Sequence, residues 1–348
     1  MGVDPHEQPT LADVAERAGV SVATASRVLT GARPVSDDLQ RKVRDASRSL
    51  GYRRNTVASS LRLQRTETVG LVLPRYATSF LSALIESVST ELERHELSLV
   101  LRYSEPDALH DADNIVSLLD RRVDGIIVCP PSLEVSRESI QAAASVPVVQ
   151  VGRFVDTDRS DSVGLDEDRA TALLVTHLAD RGATSIRAVG FDESVPADAR
   201  RLQALGSAGA PLGVSLAAAP FTPAVLEGGI RAAERLLDEG ALPRAIVCAN
   251  DDVASGVLAV LRMRGVAVPG SVQVASMLDL SPGREDHSIT TLRHPWPEMG
   301  REAVRLLVDA AARGSDDRIA RRVSLAPQLV PGGSTLPSPV ITPQEQSA

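Results

Sequence analysis

Between Thr10 and Leu29 the chain reads TLADVAERAGVSVATASRVL, and its apolar residues recur at helical spacing in two short blocks. Leu11, Val14, Ala15 and Ala18 share one face. Thr10 and Asp13 stand three apart, as the two halves of a capping box do, so a helix is predicted to begin at Leu11. Gly19 ends it, where a left-handed residue is cheapest, and Ser21 at once caps a second helix. At about 100° per residue Ala25, Val28 and Leu29 turn inward, which points Ala23 and Arg27 outward with Thr24 and Ser26 on the flanks. Two short helices around a glycine-containing turn make a helix-turn-helix, whose second helix enters the DNA major groove. The same pattern also occurs in ordinary helical bundles, so the next stretch of chain has to separate the two. Val35-Ser36-Asp37-Asp38 opens a third helix, capped by Ser36 and running to Gly51. Then come Tyr52, Arg53, Arg54 and Asn55, and the short amphipathic segment TVASSLR.

Beyond this segment, short Val/Ile-rich runs alternate with longer helical stretches. TVGLVLP, LSLVLRYS, DGIIVCP and VPVVQVG are predicted strands, separated by helices over Ser79 to His95, Ala108 to Arg122 and Ser136 to Ala144. At SVGLD the same beat restarts. It continues through a helix from Arg169 to Arg181, SIRAVGF, a helix through Ala199 to Ala208, a short strand at Val214 to Ala218, a helix from Pro223 to Glu239, AIVCAND, a helix to Gly265, SVQVASML and a last helix near Glu298 to Arg313. Buried strands separated by helices imply two doubly wound parallel-sheet subdomains, with ligands expected at the carboxyl ends of the strands, in the cleft between the halves.

A chain of 348 residues with 43% hydrophobic content holds large cores. Its net charge of -8 argues against a nucleic-acid partner until its placement is considered. Thr10 to Arg65 carries 11 Lys/Arg against 5 Asp/Glu, so a basic headpiece precedes an acidic body, and the local patch is what meets phosphate. Lys42 is the single lysine; the other cations are arginines. No apolar run approaches a membrane span and Met1 to Pro9 lacks an apolar signal region, so a cytoplasmic protein is expected. Cys129 and Cys248 end apolar strand-like runs and read as buried thiols rather than a disulfide or metal pair.

The order TLADVAERAGVS, TASRVL, RPVS, LGY and NTVASSLR resembles the DNA-binding headpiece and hinge of the lac-repressor (LacI/GalR) family. The likeness extends over nearly all of residues 9 to 335. VGLDEDRATALLVTHLADRGATSI keeps the family's spacing, although Glu167 replaces the usual Asn and Ala170 the usual Gly; PRAIVCANDDVASGVLAVLRMRGVAVPGSVQV and ITTLRHPWPEMGREAVRLL match further segments. The resemblance implies an all-α helix-turn-helix headpiece (9–54), a hinge helix and linker (55–66) and a periplasmic-binding-protein-like body for effector binding and dimerisation (67–330); the tail (331–348), rich in Pro, Ser, Thr and Gly, reads from its composition as disordered. It implies DNA contacts from Thr10, Ser21, Val22, Ala23, Thr24, Ser26 and Arg27, and from Asn55, Ala58, Leu61 and Arg62 in the hinge, where paired helices lie in the minor groove and Leu61 wedges a base step. Arg54 departs from the family's proline. Arg201, Asn250, Asp251 and Trp296 stand where the family holds a small effector, with His294 as a further polar group. After the strand VQVAS the family carries an Asp that meets ligand hydroxyls; here Leu278 occupies that position. Either the effector is more apolar than a simple monosaccharide or Asp279 takes over.

Bottom-up chemistry agrees with that assignment, since Asn and Asp at a strand end serve hydroxyls and Trp offers an apolar surface to sugar-like ligands. Alternatives stand beside it. Asn250 serves equally as a plain helix cap; Arg200 competes with Arg201; Asp251-Asp252 could be a hydrolase acid/base pair, but adjacent residues at a helix start point apart. His177 is expected to pack under its helix. No phosphate loop, zinc spacing or nucleophile elbow is present, so neither a catalytic residue, a metal nor a cofactor is expected. The expected function is sequence-specific transcription repression by a homodimer on a double-stranded operator, controlled by a small effector, with carbohydrates among the candidates, and involving no membrane. Rival readings are a regulator that needs no effector, and a sugar-binding protein or sugar-handling enzyme on the same body.

Overall fold

The computed structural model describes residues 9–30, 35–52, 65–74, 78–104, 108–130, 135–143, 145–152, 155, 157–240, 242–279, 288–313 and 319–335. The chain divides into two compact units, one ending at Thr66 and the other starting at Glu67.

The first unit contains α1 (Leu11–Ala18), α2 (Val22–Thr30) and α3 (Asp37–Leu50). The capping box is present: the Asp13 amide donates to Thr10 Oγ1 at 3.3 Å, and Asp13 Oδ2 accepts the Thr10 amide at 2.7 Å. Gly19 takes φ 64° and Gly51 φ 64°, so each closes its helix in the left-handed region that a Cβ disfavours. Ser21 caps α2, its Oγ accepting the Thr24 amide at 3.1 Å. Ser36 departs from expectation: it stands at the start of α3 but its side chain makes no cap bond. The start is held instead by the Gln40 side chain, which donates to the Val35 carbonyl at 2.9 Å, and by the acids Asp37 and Asp38 facing the positive end of the helix dipole. Val14, Ala15, Ala25, Val28, Val43 and Ala46 form the sealed core.

In the second unit the described residues form two six-stranded sheets. The first runs in the order β11-β5-β4-β3-β1-β2, with β1 Thr68–Pro74, β2 Ser98–Ser104, β3 Gly125–Val128, β4 Val148–Val151, β5 Asp161–Leu165 and β11 Arg322–Leu325. The second runs β12-β10-β9-β8-β6-β7, with β6 Ser185–Val189, β7 Ser215–Ala218, β8 Ala245–Cys248, β9 Gln273–Ser276, β10 Thr290–Arg293 and β12 Gln328–Val330. Among the described residues all pairings are parallel except β10 with β12, which is antiparallel. Helices connect them: α4 Thr78–Arg94, α5 Ala108–Asp120, α6 Val135–Ala142, α7 Glu167–Ala179, α8 Pro196–Gly209, α9 Leu226–Asp238, α10 Asp251–Met263 and α11 Trp296–Arg313.

Three expectations are corrected. SVGLD does not begin the second half; as β5 it lies between β4 and β11 in the first sheet, because a strand's own pattern does not say which sheet it joins. The strands β10, β11 and β12 are absent from the sequence pattern, being three or four residues long and alternately half-exposed where β11 and β12 are concerned. The segment from Pro331 is not disordered at its start. Ser334 and Thr335 are buried, Ser334 Oγ donates to the Val274 carbonyl at 2.6 Å and accepts the Thr290 amide at 2.9 Å, and Thr335 Oγ1 lies 2.7 Å from His177 Nε2. A polar composition that looks unfoldable is here satisfied by partners far away in the chain.

The chain crosses between the two sheets three times: from β5 to α7, from β10 to α11, and from β11 to β12. The Asp166 amide donates to the Leu325 carbonyl at 3.1 Å, so two of the crossings are tied together. α11 returns to pack on α4 and on β3, β4 and β5 of the first sheet. Leu71, Leu73, Leu84, Val88, Val149, Met299 and Val304 are buried there together. In the second lobe, α9 and α10 meet so closely that a Cβ on Gly256 would fall 2.2 Å from the Leu226 carbonyl oxygen.

Candidate DNA interface and effector pocket

In the headpiece, the buried face of α2 is Ala25 and Val28, and the opposite face carries the exposed residues Val22, Ala23 and Arg27, with Ser21 exposed just ahead of it. Thr24 and Ser26 sit half-buried on the flanks, as the helical period requires. Val22 is 48% exposed, an apolar side chain left in water at the start of the helix. Small apolar groups with an arginine one turn later suit thymine methyls and a guanine edge or phosphate. Thr10 is exposed too, but its hydroxyl donates to Asp13 Oδ2 at 2.8 Å, and these bonds hold the Asp13 carboxyl below its usual range. Asn55, Ala58, Leu61 and Arg62 lie outside the described residues.

In the body, Asn250 and Asp251 follow β8, Asp279 follows β9, and His294 and Trp296 follow β10, all at the carboxyl ends of strands of the second sheet, while Arg201 lies on α8. Asn250 follows β8 and both sides of its amide are used: Oδ1 accepts the Val253 amide at 2.9 Å as the cap of α10, and Nδ2 donates to the Ala224 carbonyl at 2.9 Å. Asp251 is buried and Asp252 exposed, so the adjacent acids do point apart. The Asp251 amide donates to the Leu278 carbonyl at 3.2 Å, which binds the ends of β8 and β9 together. Leu278 is half-buried while Asp279 is 7% exposed, its Oδ2 lying 3.9 Å from Arg293 Nε.

A second group lies at the crossings. His294 and Trp296 stack with centroids 5.3 Å apart and planes 14° from parallel. One face of the indole is therefore covered by imidazole rather than offered whole to a ligand. The Trp296 ring also closes on Gly152, after β4, where a Cβ would meet it at 3.4 Å. Burial and, after it, the positive charge of Arg201 depress the His294 pKa to about 4, with Glu167 opposing; the ring is neutral at physiological pH and all three groups share one electrostatic environment. Of the two candidate arginines, Arg201 is half-buried on α8 and Arg200 is exposed. Arg201 Nη2 donates to Glu167 Oε1 at 2.9 Å, and Arg201 Nη1 lies 3.6 Å from Asp198 Oδ1. Glu167 and Asp198 are partners of Arg201 that the sequence does not single out. Only the replacement of the usual Asn at 167 signals one of them.

Among the described residues no cluster of His, Cys, Asp or Glu could hold a metal ion, and no helix is long and apolar enough to cross a membrane. Both cysteines are buried, and burial pushes the Cys248 thiol far up.

Comparison with known proteins matches two stretches of the chain. Residues 10–55 match the model for bacterial regulatory proteins of the lacI family, and residues 175–335 that for a periplasmic binding protein-like domain. The HTH-type transcriptional regulator AscG of Escherichia coli (strain K12) is 32% identical over 308 residues, 86% of this chain and 91% of that protein. The ribose operon repressor of the same strain is 29% identical over 330 residues, 93% of this chain and 99% of the other. A crystal structure of the lac repressor bound to ONPG in its repressed state superposes with a TM-score of 0.81 at 25% identity, covering 94% of this chain and all of that one. The exposed recognition helix, the two-lobed body and these likenesses converge on one conclusion: the chain belongs to the lacI family of DNA-binding transcriptional regulators.

Proposed function

We propose that the protein is a cytoplasmic repressor that binds a roughly palindromic operator as a homodimer and whose operator affinity is set by a small molecule. The body pocket of Arg201, Asn250, Asp251, Asp279, His294 and Trp296 holds that molecule, and Val22, Ala23 and Arg27 read the operator. The observation that carries the reading is α2, which keeps Val22, Ala23 and Arg27 exposed on the face opposite a sealed core. Phe221, Val225 and Leu226, 56%, 45% and 44% exposed, supply an apolar surface for a second copy. The ribose operon repressor's name supports a carbohydrate effector.

The hinge completes the proposal. Read from its sequence, the segment Thr56 to Leu63, with Asn55 able to cap it, is too short to hold as a helix alone, so we propose that it orders only when two copies meet on DNA. The test is recovery of genomic fragments by the purified protein, with and without a panel of sugars. A shared palindrome whose yield falls or rises with one sugar supports both halves; indiscriminate recovery removes the operator reading, and a shared site indifferent to every small molecule removes the effector reading. Hydrogen exchange across 55–63 should show protection only with operator, and equal protection in both states refutes the coupled folding.

A further inference from the structure

We propose that Glu167 is a specificity-determining residue of the pocket, one that turns away anionic effectors and selects uncharged or amine-bearing molecules rich in hydrogen-bond donors. The inference rests on the reading of this pocket as the effector site. A phosphate or carboxylate ligand needs an arginine with charge to spare. Arg201 does not offer it: Glu167 Oε1 lies 2.9 Å from one guanidinium nitrogen and Asp198 Oδ1 3.6 Å from the other. Two carboxylates on one guanidinium leave the group net negative, and the neighbouring His294 is neutral. The order of exposure points the same way. The Glu167 side chain is 39% exposed and that of Arg201 14%, so a ligand arriving at the pair meets the carboxylate before the guanidinium. A carboxylate accepts and cannot donate, and its natural partners are hydroxyls and ammonium groups.

Placement on the fold agrees with this role. Glu167 is the first residue of α7, immediately after the crossing from β5, and Arg201 belongs to α8 of the second lobe. The first turn of α7 stabilises a carboxylate through the helix dipole, and the cap is made separately by Asp166, whose Oδ1 accepts the Arg169 amide at 3.0 Å. Glu167 is thus not required as the cap.

Trp296 is the single tryptophan of the chain, so its fluorescence reports on the pocket alone. The test titrates the full-length protein with inorganic phosphate, following Trp296 emission and, in parallel, heat. Wild type should give no emission change across the millimolar range. Glu167→Gln, which removes one carboxylate charge beside Arg201, should respond with at least roughly tenfold tighter apparent binding, the size expected for one nearby charge. Glu167→Gln combined with Arg201→Gln should lose the response. Glu167→Asn serves as a second variant should the first fold poorly. A wild type that answers phosphate as well as Glu167→Gln, or a folded Glu167→Gln that gains nothing in either signal, overturns the proposal. An Arg201-dependent gain seen by heat while Trp296 stays silent upholds the charge argument but sinks the effector reading on which the selectivity claim rests.

Discussion

In the headpiece, Val14, Ala15, Ala25, Val28, Val43 and Ala46 make the core, while Val22, Ala23 and Arg27 stand outside it. In the body, Asn250, Asp251, Asp279, His294 and Trp296 are all buried, and several hold the fold together: Asn250 caps α10 and ties down Ala224, and Trp296 closes on Gly152. Affinity for DNA can therefore change in the headpiece without touching stability. In the body, a change that reshapes the pocket also disturbs packing or a helix start.

The largest effect should come from Gly256→Ala. Its Cβ would lie 2.2 Å from the Leu226 carbonyl oxygen and 2.9 Å from the Ile230 nitrogen, both backbone atoms that cannot swing aside. A loss of about 3 kcal/mol or more is expected, read as a fall in the urea midpoint of Trp296 fluorescence. Gly19→Ala in the headpiece meets nothing within 4 Å and pays only for φ 64°, roughly 1 kcal/mol. Equal costs for the two would remove the contrast in packing.

Acid should separate the units next. Burial lowers the pKa of His177 and of His294 to about 4 each, whereas residues 9–52 contain no histidine. An unfolded histidine titrates near 6.5, so between about 6.5 and about 4 the unfolded chain binds more protons, and stability falls as pH falls through that window. Full expression of one such shift is worth on the order of 3 kcal/mol. The denaturation midpoint followed by Trp296 should drop between pH 7 and pH 5, and His177→Gln with His294→Gln should flatten that dependence. A dependence unchanged in the double variant would mean that carboxylates, not these rings, set it.

Arg27→Ala should cost 1–3 kcal/mol of operator affinity at fixed salt, on the order seen for base-edge arginines, with the thermal midpoint of the protein unmoved. Undiminished operator binding would take Arg27 out of the interface.

The same contrast decides which parts are legible in the sequence. The headpiece is local: its caps, glycine stops and helical faces act within four or five residues, and Thr10, Gly19 and Ser21 do in the structure what their positions predict. Ser36 does not: it stands at the start of α3 without a cap bond from its side chain. The long strands and helices of the body are equally plain. What escapes is whatever depends on remote pairing: β5 joining the first sheet, β11 and β12 finding places in different sheets, and Ser334 and Thr335 meeting Val274, Thr290 and His177. The pocket shows the same limit. Asn250 and Asp251 are visible as a strand-end pair, but no pattern in the chain brings Glu167 to Arg201, which lies 34 positions on.

The smallest expected effect tests whether stability and DNA contact can be parted at one residue. Thr10 is exposed beside the recognition unit, yet its hydroxyl and amide are both bonded to Asp13, whose own amide returns to Thr10 Oγ1. Replacing a capping threonine by alanine typically costs about 1 kcal/mol, and serine keeps the bonds at nearly equal value. Thr10→Ser should then leave the headpiece melting as wild type, and Thr10→Ala should lower it by a few degrees. If the hydroxyl also touches a phosphate, Thr10→Ala should weaken operator binding beyond what the loss of fold predicts, while Thr10→Ser binds normally. If both variants bind alike once corrected for the folded fraction, Thr10 acts through the capping box alone, and the headpiece has its own instance of a residue whose place near the DNA is structural.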